Sequence, residues 1–131
     1  MRSHSVVLHI QIIDHLDNDL TQSSTLSAQS QSNPRSYSYQ ETDGSTHVEL
    51  IFTSDAVSLI REGAWKTIID FSLTGLGSFR VISELGEMRG EVKLLNSVIE
   101  ARNIQLQYQL IMDGSVITHQ TLIYTIRGAQ A

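Results

Sequence analysis

At 131 residues with one proline and no cysteine, the chain is sized for a single compact domain, and disulfides, thiolate nucleophiles and cysteine-based zinc sites are excluded. Apolar residues make up 40 % and charged ones 18 %, while Ser, Thr, Asn and Gln together number 41, so the composition is globular and its polarity comes mainly from uncharged groups. A formal net charge of −5 argues against nonspecific attraction to nucleic-acid phosphate or anionic lipid, and the longest apolar runs fall far short of a membrane helix.

No continuous apolar stretch follows Arg2 before His9, Gln11 and Asp14, so no signal peptide is expected and the location expected is cytoplasmic. From Val6 to Ile13, the residues Val6, Leu8, Ile10 and Ile12 share one parity and His9 and Gln11 the other, which is the period of a strand. Asp14 to Asp19 ends it. Of the twenty residues from Thr21 to Gln40, fourteen are Ser, Thr, Asn or Gln. Such a segment buries too little apolar area to offset its ordering entropy, so residues 20–35 are expected as a polar, flexible loop.

Ordered signal returns from Tyr37 to Glu41, turns at Asp43-Gly44, and continues from Thr46 to Thr53, where Val48, Leu50 and Phe52 face away from His47, Glu49 and Ile51. Val57, Leu59 and Arg61 alternate with Ser58 and Ile60. Glu62-Gly63 then turns the chain, and Trp65, Thr67, Ile69 and Phe71 open another strand on alternate positions. Gly75-Leu76-Gly77 is a further turn, before a strand over Phe79, Val81 and Ile82 that ends near Ser83-Glu84-Leu85-Gly86. Glu87 to Arg102 fits either a strand pair around Asn96-Ser97 or a helix, because Val92, Leu95, Val98, Ile99 and Arg102 also stand at helical spacing. Ile104, Leu106, Tyr108, Leu110 and Met112 alternate with Gln105, Gln107 and Gln109, a pattern no helix produces. Asp113-Gly114 turns the chain into a last strand carrying Val116, Thr118, Gln120, Leu122, Tyr124 and Ile126. The sum is an all-β, single-domain, antiparallel barrel or sandwich of about eight strands. A closed barrel of that size is either just filled by side chains or holds one small ligand.

The order of three motifs carries a resemblance. Tyr37-Ser38-Tyr39-Gln40-Glu41-Thr42, then Thr46-His47-Val48-Glu49-Leu50, then Val57-Ser58-Leu59-Ile60-Arg61-Glu62-Gly63 resembles the YwiB-like family of small bacterial calycin-type β-barrels. The aromatic-bearing strand at Asp70-Phe71 and the closing hairpin from Ile104 to Arg127 extend the likeness to about Tyr37 through Arg127. The family's Thr-Pro-x-Gly turn reads Ser83-Glu84-Leu85-Gly86 here, keeping the glycine and losing the proline. The resemblance implies a lipocalin-like barrel and, by analogy with calycins, a small apolar ligand; it implies no particular activity.

Arg61 continues the parity of Val57 and Leu59, so its guanidinium points toward the apolar side of its strand and needs a partner. Glu41 shares parity with Tyr37 and Tyr39, so a Glu41–Arg61 pair near one mouth of the barrel is one reading. A second makes Arg61 the anchor for the acidic head of a ligand, with Tyr39, Trp65 and Tyr108 around it. In a third, Arg61 reaches solvent at the strand end. Trp65 is a core plug or one wall of a pocket, and Tyr108, between Leu106 and Leu110, places its ring in the core with a hydroxyl that needs a partner.

The five histidines, His4, His9, His15, His47 and His119, show no metal-ligand spacing and are expected on the surface; no metal and no cofactor are called for. No nucleophile elbow and no phosphate loop occur, and Arg61, Glu41 and Tyr39 form the one cluster whose proton affinities a site might shift. The leading expectation is a non-enzymatic binder of a small, partly apolar or acidic ligand at Arg61, Glu41, Tyr39, Trp65 and Tyr108. The rival is a protein–protein interaction module with a filled barrel, for which a homodimer is one arrangement. Neither nucleic acid nor a membrane is an expected partner.

Overall fold

A computed structural model describes residues 3–128. Ten strands follow one another as a meander: β1 (His4–Asp14), β2 (Leu20–Ser32), β3 (Arg35–Gln40), β4 (His47–Phe52), β5 (Ala56–Glu62), β6 (Lys66–Ser72), β7 (Gly77–Ser83), β8 (Gly86–Ile99), β9 (Asn103–Met112) and β10 (Ser115–Gly128). Each pairs antiparallel with its neighbours in the chain, and β1 pairs with β10 to close the barrel. The all-β antiparallel barrel is as expected, with ten strands instead of about eight; β2 and β8 make the difference.

Residues 20–35 do not form the expected loop. Leu20–Ser32 is a thirteen-residue strand paired with β1 along its whole lower register, from His4↔Ser30 to Asp14↔Leu20. Its side chains are mostly exposed and Ala28 alone is buried, so apolar burial does not hold it; the backbone ladder to β1 does. Glu87 to Arg102 is neither a strand pair nor a helix. β8 is one long strand with an irregularity between Leu94 and Asn96, where an extra residue enters. Val92 and Leu94 lie opposite the inward residues Leu110 and Tyr108, and beyond the bulge Ser97 and Ile99 lie opposite Leu106 and Ile104. That change of parity breaks the alternation, so a period of two does not run through the segment.

Alternation along the other strands points Leu8 and Ile10, Val48, Leu50 and Phe52, Ile69 and Phe71, and Ile104, Leu106 and Tyr108 into one continuous core. Phe71 and Phe79 are the largest fully buried side chains. The Phe79 ring fits because β8 has Gly90 opposite it in register: a Cβ on Gly90 would run into the Phe79 ring and the Ile111 carbonyl. The β9–β10 hairpin is the expected two-residue turn, Asp113 (φ 52°) and Gly114 (φ 77°) both adopting the left-handed region.

Candidate internal cavity and its rim

One end of the barrel is packed shut. Tyr37 and Phe52 meet edge to face with centroids 6.1 Å apart, and the Arg35 guanidinium lies 5.5 Å from the Tyr37 centroid and 5.0 Å from that of Phe52. Arg35 donates from Nε to the Tyr37 hydroxyl at 2.9 Å and from Nη2 to the Glu100 and Ala101 carbonyls at 2.7 and 3.2 Å. Its charge is thus spent on closing the β8–β9 turn against β3.

Toward the other end the side chains leave an internal cavity of about 590 Å³. Ile10, Val48, Leu59, Ile69 and Leu122 give it apolar walls, and Tyr39, Tyr108, Tyr124, Gln120 and Ser24 supply polar groups. The room comes from β2. In register, Tyr124 faces Ile10 across β10 and β1, and Ile10 faces Ser24 across β1 and β2, so the third strand at this level contributes a small hydroxyl where a Leu or Phe would fill the space. β2 pairs with β3 at only four positions, Gln29↔Ser38 through Ser32↔Arg35. Among the described residues, Leu20 to Ala28 therefore has β1 on one side and no strand on the other, and Gln22, Ser23 and Ser24 line the cavity there together with Glu41 and Thr42.

Of the site residues expected from the sequence, the fold brings Arg61, Glu41, Tyr39 and Tyr108 together around this cavity and leaves Trp65 out. Arg61 donates from Nε to Glu41 Oε2 at 2.9 Å and from Nη2 to Oε1 at 2.8 Å, a two-point pair at the rim. The Glu41 hydrogen bond also raises the Arg61 pKa, so the guanidinium stays charged. The guanidinium is half exposed, so this is a rim pair and not a buried charge. Trp65 is 60 % exposed. It extends the inward parity of Thr67, Ile69 and Phe71, but β6 begins only at Lys66, so the ring stands on the β5–β6 turn beyond the barrel wall and is neither core plug nor pocket wall.

Two hydrogen-bonded pairs sit deeper. The Tyr39 and Tyr124 hydroxyls are 3.0 Å apart, and the Tyr108 hydroxyl donates to Gln120 Oε1 at 2.8 Å, these last two being direct register partners on β9 and β10. Burial pushes the Tyr39 phenol up to about 12, the Tyr124 hydrogen bond and Arg61 opposing and Glu41 adding to the rise. Burial likewise drives Tyr108 and Tyr124 well above their ordinary value. All three remain protonated donors at neutral pH.

Tyr124, Gln120 and Ser24 are contributors that a search for charged or catalytic types passes over. Tyr124 and Gln120 had a signal, since both share the inward parity of Leu122 and Ile126; Ser24 had none. The fold also gathers histidines that look scattered in sequence. The His15 and His119 rings lie 4.6 Å apart at the β1–β2 turn, with His15 Nδ1 2.7 Å from Asp19 Oδ1 and Nε2 2.7 Å from the Thr121 hydroxyl. Among the described residues no group of three or more His, Asp or Glu side chains is arranged to hold a metal.

No protein-family model and no curated protein matches the chain. Among solved structures, the YwiB protein from Bacillus subtilis is similar, with a TM-score of 0.68 over 98 % of this chain and 94 % of that one at 16 % identity. The likeness is one of fold alone, a YwiB-like barrel.

Proposed function

We propose that the protein is a non-enzymatic, calycin-type binding protein that holds one small, partly apolar molecule inside its barrel. The observation that carries this reading is the cavity itself: about 590 Å³ with apolar walls and a few convergent hydroxyls, within the size range of small-molecule pockets. The opening between β2 and the β3–β4 turn is the route by which such a molecule reaches it. An acidic head on Arg61 has the weakest support within this reading, because both donating edges of that guanidinium used here already serve Glu41. Native mass spectrometry of gently purified protein, set against the denatured mass of the same sample, tests the proposal. A discrete extra mass lost on denaturation is the expected result.

A second reading is favoured by the free edge of β2. From Leu20 to Pro34 the chain has no charged residue, whereas exposed edge strands are usually blunted by Lys, Pro or bulges. Exposed Leu16, Leu20 and Trp65 stand on turns or strand ends of the same barrel end. In this reading the protein is an interaction module, and a bare native mass with a dimer or larger assembly as the main species turns the choice to it.

A further inference from the structure

Resting on the binding reading above, the polar groups of the cavity specify what sort of head its ligand carries. Tyr39 and Tyr124 share one hydrogen bond, 3.0 Å between their oxygens, so one hydroxyl donates and the proton of the other is left over. Tyr108 and Gln120 share another, at 2.8 Å. Between them they hold one O–H and two N–H hydrogens, and whichever way round the Gln120 amide lies, two of those three remain. Three hydrogens are thus left over on these four side chains, against the amide oxygens of Gln22 and Gln120 as the side-chain carbonyl acceptors of the lining. The one carboxylate of the lining, Glu41, is taken up at both oxygens by Arg61. Groups of this kind, the Tyr39–Tyr124 pair buried and the Tyr108–Gln120 pair partly so, favour a ligand that completes their hydrogen bonding over one that cannot.

The charge balance points the same way. Arg61 is the sole cationic side chain of the lining among the described residues, and its partner Glu41 repels an incoming anion. A carboxylate seated among Ile10, Leu59 and Leu122 would have to break the rim pair or lie in apolar surroundings without a counter-ion, and both are unfavourable.

We infer that the barrel selects a neutral ligand with an apolar body and a hydrogen-bond-accepting oxygen, a ketone, ester, lactone or amide carbonyl, received by the Tyr39–Tyr124 and Tyr108–Gln120 pairs. The raised pKa of each tyrosine keeps all three hydroxyls in the donating form across the neutral range.

Three naphthalenes of nearly equal shape test this: 2-acetylnaphthalene, 2-ethylnaphthalene and 2-naphthoate, titrated into the full chain at neutral pH by calorimetry. The ketone is expected to bind about tenfold more tightly than the hydrocarbon, the worth of one satisfied buried hydrogen bond, and the carboxylate weakest of the three. In the variant Tyr39→Phe/Tyr124→Phe/Tyr108→Phe/Gln120→Met, which removes every donor of both pairs, the ketone's advantage is expected to vanish while 2-ethylnaphthalene still binds, which also reports that the variant is folded. Equal binding of ketone and hydrocarbon by the unaltered protein overturns the inference and leaves an apolar binding barrel standing. Tightest binding of 2-naphthoate overturns it in favour of an acid anchored on Arg61. Binding of none of the three overturns the binding reading itself.

Discussion

β9 and β2 stand in the same barrel with β10 and β1 between them and solve opposite problems. In β9 every second residue from Ile104 to Leu110 is buried, and the strand is hydrogen-bonded along its length to β8 on one side and β10 on the other. In β2 Ala28 alone is buried, the strand is paired with β1 from Leu20 to Ser30 and with β3 at four positions, and its inward residues at the cavity level are Gln22, Ser24 and Leu26. The lesson is that a barrel strand needs apolar alternation only where it faces packed core. Where a strand borders a cavity, polar inward residues are tolerated, and the backbone ladder is enough to order it.

That contrast can be broken by substitution. Leu106→Ala in β9 removes a fully buried side chain and is expected to cost about 2–5 kcal/mol in urea denaturation; a loss below 1 kcal/mol would mean that this wall is not packed as described. Gly90→Ala, which sets a methyl group against the Phe79 ring and the Ile111 carbonyl, is expected to cost about 1–3 kcal/mol by the same assay. Arg61→Met breaks a half-exposed ion pair at the rim and is expected to cost no more than about 1 kcal/mol, with ketone binding retained.

Ser24→Leu sharpens the comparison, since it adds bulk to the strand that has room for it. Stability is expected to change by no more than about 0.5 kcal/mol while 2-acetylnaphthalene binding falls about tenfold, and a loss of stability like that of an overpacked core would place Ser24 against packed side chains. The smallest expected effect concerns the β3–β4 turn. The Asp43 carboxylate accepts from the Thr46 hydroxyl at 2.6 Å and from the Ser45 and Thr46 amides at 2.9 Å each, which holds it at about 2 instead of 3.8. Because the folded value is the lower one, the stabilisation is complete above the ordinary carboxylate range and is lost as pH falls from about 4 to about 2. Asp43→Ala is expected to flatten acid-unfolding curves within that window and nowhere else.

Much of this was legible in the chain. Strands β1, β4, β9 and β10 announce themselves because their inward residues meet core, and the parity of Arg61 with Leu59 and of Glu41 with Tyr39 foretells the rim pair. The same parity carried too far sets Trp65 inside, since a period of two does not say where a strand starts. β8 was obscured by its bulge, which shifts the residues paired with the inward set of β9 from Val92 and Leu94 to Ser97 and Ile99 and so interrupts the alternation. β2 was obscured by its composition.

From the sequence alone came the all-β class, the alternation of most strands, the turns at Asp43-Gly44 and Asp113-Gly114, and the Arg61–Glu41 pair as one of three readings of Arg61, because each is written in side-chain type and spacing. The tertiary structure decided that the strands number ten, that the serine- and glutamine-rich segment is one of them, and that the cavity lies beside it. Backbone hydrogen bonds leave no mark on side-chain identity, and which residues of β2 and β8 face inward has a meaning only once the ring of strands has closed.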